Sequence, residues 1–145
     1  MLTDEEILEL VFWPKGSLTA QELRTILNTV RRFIDFDGTI CAAWPSRDDA
    51  TLRGKPLKEF LAEAPFIVQT WNSRGAMNFF VNEFPDLPKP VLIMAIPCFF
   101  YIDKTGEQDV GKDFKALGIQ GATIIDDLKP EEIHAPGCTV LPPND

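Results

Sequence analysis

The feature that most constrains the fold is a unit that recurs along the chain. A short apolar run closes on polar residues and is followed by a stretch with helical spacing. The runs are "RRFIDF", "PFIVQT", "PVLIMAI" and "ATIIDD". Between them lie "PLKEFLAEA" with Pro56 in its first turn, "GAMNFFVNEF", and "GKDFKALG" closed by Gly118. Apolar runs of this length predict strands buried on both faces, and intervening helices make parallel crossovers. "CFFYID" predicts a further strand turning at "KTGE", "KPEEI" a helical turn, and "CTVL" an edge strand. The fold class expected is α/β, a Rossmann-like three-layer sandwich with a mainly parallel central sheet.

Two helices are expected ahead of this pattern. Thr3 with Glu6, and Thr19 with Glu22, have the spacing of capping boxes, in which each side chain bonds the other's backbone N–H. Ile7, Leu8, Leu10 and Val11 give the first helix an apolar stripe; Leu23, Ile26, Leu27 and Val30 give one to the second. "WPKG" reads as the turn between them. The 145 residues therefore read as one domain, with 1–31 a helical extension and 32–145 the core.

Charge narrows the function classes. Fourteen basic and twenty-two acidic residues give a net charge of −8, which disfavours a nucleic-acid polymer or an anionic membrane as partner. A small phosphate ligand remains compatible, because one cation can reverse the local field. The longest apolar run, "VLIMAI", is too short to cross a bilayer, and the acidic start is unlike a signal peptide. Cys41, Cys98 and Cys138 are odd in number and widely spaced, with no CxxC pair. Free thiols and a cytoplasmic location are expected.

In open α/β sheets ligands bind at the carboxyl ends of the strands, and there the sequence sets its unusual polar residues. Asp35 and Asp37 follow the first core strand, Thr70 the second, and Asp126 and Asp127 the last; Lys112 is expected to open the helix before that strand. Carboxylates gathered at one rim call for a cation, and hard oxygen donors without histidine suit Mg2+. A lysine beside them suits a phosphoryl group. One acid can then attack phosphorus while its neighbour exchanges protons with the leaving group.

The pieces "DFDGT", "IVQT", "GKDF" and "IIDD", in this order, resemble the four motifs of the haloacid dehalogenase superfamily of phosphatases. The resemblance spans residues 32–127. Within the superfamily, "CFFYIDKTGEQDVGKDFKALG" and "ATIIDD" resemble the small C-terminal-domain phosphatases, which act on phosphoserines of the RNA polymerase tail. "TWNSRGAMNFFVNEFPDLP" is instead similar to bacterial and phage members. The loop after the first motif and the final helix of the former group have no counterpart here. The resemblance implies Asp35 as nucleophile and Asp37 as general acid and base. It implies Thr70 and the backbone N–H of Trp71 on the phosphoryl oxygens, with Lys112 neutralising charge. Mg2+ would be held by Asp35, the carbonyl of Asp37 and Asp127, supported by Asp126. Thr39 and Asn72 join Trp71 in the substrate-binding set.

The segments between motifs are filled by the predicted core elements, which leaves no room for a large cap. A bulky phosphorylated substrate, such as a phosphoprotein, is the expectation; a nucleotide or nucleic-acid end, or a non-catalytic scaffold that keeps the acids, are the alternatives. "CAAWPSRDDATLRGK" is expected to overhang the site, with Trp44, Arg47 and Arg53 as contacts. Each motif also has a plain structural reading: Asp-Gly is a common turn pair, and the terminal acidic pair can cap the turn that follows it. His134, the one histidine, reads as a surface residue, and Trp13 and Trp71 as core.

Overall fold

The computed structural model describes residues 2–16, 18–41 and 51–144. In chain order the elements are α1 (Asp4–Glu9), β1 (Val11–Trp13), α2 (Ala20–Thr29) and β2 (Arg32–Asp35), followed by a wide turn, Phe36–Ile40. Next come β3 (Thr51–Leu52), β4 (Lys55–Pro56), α3 (Leu57–Ala62), β5 (Ile67–Gln69) and α4 (Ser73–Met77), which runs on as a π-helical turn over Asn78–Glu83. The chain continues through β6 (Leu92–Met94), β7 (Cys98–Ile102), β8 (Gln108–Asp113), β9 (Thr123–Ile125), β10 (Ile133–His134) and β11 (Thr139–Leu141). The central sheet is six-stranded, in the order β1-β6-β5-β2-β9-β11. All its neighbours are parallel except the β1–β6 edge pair. The expected α/β class with a mainly parallel sheet is what the chain adopts.

The two-residue period of a strand divides the core. Phe33, Ile67, Leu92, Met94 and Ile124 lie on one face and pack with Ile7, Leu23, Leu27 and Leu117. Ile34, Val68, Ile93 and Ile125 lie on the other and pack with Leu57, Phe60, Leu61, Phe79 and Phe80. Strands apolar at every position can be buried on both sides, as these are.

Both capping boxes form as their spacing predicts. Between them the chain differs from expectation. Val11 does not extend the stripe of α1 but begins β1, which pairs with β6 through Val11–Met94. The first 31 residues therefore supply an edge strand of the central sheet as well as two helices. A second difference concerns "GKDF". Gly111, Lys112 and Asp113 end β8 rather than open a helix, and only a 3-10 turn, Lys115–Leu117, follows. Pairing overrides the helical spacing: Cys98 stands opposite Lys112 on β7, and Ile133 opposite it on β10. β8 is thus the middle of a separate three-stranded sheet, ordered β10-β8-β7. Gly111 permits this packing, since a Cβ there would collide with the Glu132 carbonyl and the Phe99 ring.

Arg32 ties β2 to the end of α3. Its guanidinium donates to the carbonyls of Phe60 (2.7 Å), Leu61 (3.1 Å) and Ala64, and lies 5.0 Å from the Phe60 ring centroid. A cation here bonds carbonyls at and just beyond the last turn of α3, of which Phe60 also accepts from the Glu63 N–H at 3.4 Å, and it complements the helix dipole. Arg32→Met should therefore destabilise the protein by about 2 kcal/mol, and Arg32→Lys should recover only part, because one ammonium cannot span three carbonyls in that plane. Denaturant midpoints at a constant slope would measure both.

Candidate active site

The site forms where β2, β5 and β9 end. Asp35 stands level with Gln69 in the β2–β5 register. One step beyond the Ile34–Ile125 pair it stands level with Asp126 as well. The three side chains continue the face of Phe33, Ile67 and Ile124, so strand alternation alone sets Gln69, Asp35 and Asp126 in a row on one face. Lys112 reaches them from the other sheet, β8.

Lys112 is 3% exposed. Its Nζ lies 3.0 Å from Asp35 Oδ1, 2.8 Å from Gln69 Oε1 and 2.8 Å from Asp126 Oδ2. An ammonium has three protons, and each has an acceptor here. Gln69 also donates from Nε2 to Asp126 Oδ2 at 2.8 Å. Asp126 is fully buried, and its other oxygen accepts from the Leu128 N–H at 3.1 Å. Asp126 is thus engaged on both oxygens by the chain itself.

After β2 the backbone makes the wide turn. Asp37 is extended, and Gly38 is left-handed at φ +78°. The left-handed conformation suits glycine, and a Cβ would also lie 2.8 Å from Asp127 Cγ. Gly38 therefore lets Asp127 approach the turn. One carboxylate oxygen from each of Asp35, Asp126 and Asp127 lies within 4.8 Å of the other two, with Asp127 at the surface. Hard oxygen donors so grouped could hold a divalent cation. With no cation, burial, opposed by Lys112, pushes the Asp35 carboxyl up to about 7; the nearby Asp126 charge and a hydrogen bond with Asp127 push the same way.

Asp35, Asp37, Thr70, Trp71, Asn72, Lys112 and Asp127, all named from the sequence, line one cleft of ≈ 400 Å³ together with Leu128. Thr70 is 2% exposed; its Oγ1 accepts from the Asn72 N–H at 2.9 Å, which leaves the hydroxyl proton for another acceptor. Asn72 Nδ2 lies 3.3 Å from Asp37 Oδ1, and its Oδ1 caps α4 through the Gly75 N–H. Asn72 thus holds Asp37 and the helix start. Thr39 is turned inward and donates to Asp35 Oδ2 at 3.2 Å. Trp71 is not a core residue: it is 47% exposed, donates from Nε1 to the Ile96 carbonyl, and has Lys112 Nζ 5.7 Å from its ring centroid. Arg53 lies away from the cleft, bonded to the carbonyls of Pro142 and Asn144. Trp44 and Arg47 lie outside the described residues. Gln69 and Leu128 were not anticipated. A polar residue ending the apolar run "FIVQ" was the available signal for Gln69.

No family model, no curated protein and no solved structure matches the chain.

The raised Asp35 value has a consequence for stability. Between about 4 and about 7 the folded chain keeps a proton that the unfolded chain has released. Stability of the metal-free protein should therefore fall as pH rises across that interval and level off above it. Asp35→Asn should flatten the slope and be at least as stable as the parent at pH 8 with a chelator present, as read from thermal melts over a pH series.

Proposed function

We propose that the chain is a Mg2+-dependent phosphatase that hydrolyses a phosphate monoester through an aspartyl-phosphate, on a three-layer fold of the haloacid dehalogenase kind. One observation carries this reading: Lys112, Asp126 and Asp127 converge on Asp35, although they lie far from it in the sequence. The turn after β2 brings Asp37 to the same cleft. Asp35, the main-chain carbonyl of Asp37 and Asp127 would hold Mg2+, since Asp126 is already engaged. Bound there, Mg2+ would offset the repulsion among the carboxylates and the charge on the phosphoryl oxygens.

An Asp35 carboxylate oxygen attacks phosphorus, and the bond from phosphorus to the ester oxygen breaks. Asp37 gives its proton to the departing oxygen, which leaves as an alcohol. Asp37, now a carboxylate, takes a proton from a water whose oxygen attacks the same phosphorus. The bond to Asp35 breaks, the carboxylate is restored, and one water has been consumed for one alcohol and one phosphate released. Thr70 can offer its hydroxyl proton to a phosphoryl oxygen, and Lys112 steadies Asp35. Asn72 holds Asp37 facing the cleft. Among the described residues no separate domain lies over the cleft, which favours a bulky substrate such as a phosphorylated protein.

An aryl phosphate tests this directly. Turnover should require Mg2+, stop on chelation, and fall to background in Asp35→Asn. Lys112→Met should lower kcat by about 10²–10³-fold. Binding of Mg2+ with no hydrolysis of any phosphate ester would overturn the enzyme reading in favour of a scaffold.

A further inference from the structure

We infer that Gln69 is a positioning residue, which holds the Lys112 ammonium against Asp35; the catalytic part of this inference rests on the phosphatase reading above. Gln69 is 0% exposed at the last position of β5. A buried amide without partners is costly, and here both ends are engaged. The orientation of the amide follows from its partners. Lys112 can only donate, so Oε1 faces it at 2.8 Å; Nε2 faces the Asp126 oxygen at 2.8 Å. The reverse orientation would set donor against donor.

Gln69 thereby acts on two groups at once. It accepts one Lys112 hydrogen bond, so that the other two N–H groups are directed to Asp35 Oδ1 and Asp126 Oδ2. It also bonds the same Asp126 oxygen that Lys112 uses, which fixes that oxygen in place. Lys112, Gln69 and Asp126 form a closed triangle with Asp35 as its outlet. The ammonium that accompanies the nucleophile is therefore located by a neutral side chain from a neighbouring strand. Gln69 does not line the cleft formed by Asp35, Asp37, Thr70 and Lys112, so its effect on substrate is indirect.

Loss of the amide should leave the strand intact but free the ammonium to move. Gln69→Met keeps the approximate volume and removes both bonds. In steady-state hydrolysis of an aryl phosphate, Gln69→Met should lower kcat by about 10–100-fold with KM changed less than about threefold. Wild-type kcat in Gln69→Met would overturn the inference. A second readout needs neither substrate nor metal. The NMR signal of the Lys112 ammonium in the metal-free protein should be visible in the parent, because a buried, fully bonded ammonium exchanges slowly with water. It should broaden or vanish in Gln69→Met. An unchanged signal would overturn the positioning role even if the parent proves to be a phosphatase. A parent without turnover would overturn the phosphatase reading and leave this signal to decide whether Gln69 holds Lys112.

Discussion

A buried ammonium among carboxylates is the constraint on which the rest of the molecule depends. Lys112 is nearly inaccessible to water, and an unpaired charge in such a place would not be tolerated. Its partners come from the ends of β2, β5 and β9, while its own backbone belongs to the hairpin sheet. The register of three parallel strands must bring Asp35, Gln69 and Asp126 level, and the hairpin must dock at one depth. A slip of one residue in β5 would exchange Gln69 for Thr70 on the acid-bearing face and leave the ammonium short of an acceptor.

The same cluster separates two acids that are neighbours in sequence. Asp126 faces inward along the strand direction and is held by Lys112, Gln69 and the Leu128 N–H. Asp127 begins the following loop and stays at the surface, close to Gly38. Adjacent residues at a strand end point to opposite sides, so one acid becomes part of the interior and the other remains able to take a ligand.

Much of this could be read in the sequence, because the signals were local. Strands apolar at every position, capping boxes at fixed spacing and acids after apolar runs each depend on a few neighbouring residues. The features that escaped are those decided by distant pairing. Three residues, "VFW", cannot be told from the end of an amphipathic helix by periodicity; only Met94 and Ile93 across the gap make them a strand. "GKDF" carries helical spacing, yet β7 on one side and β10 on the other draw it into a sheet. Gln69 looked like the polar end of a strand, and the partner that gives it meaning lies 57 positions further on.

Lys112 also works as a rivet between the two sheets. The hairpin cannot lift away without stranding a positive charge on one side and acids on the other, so it is poorly suited to open as an independent unit. Loss of the pocket and loss of the whole fold then become a single cooperative event.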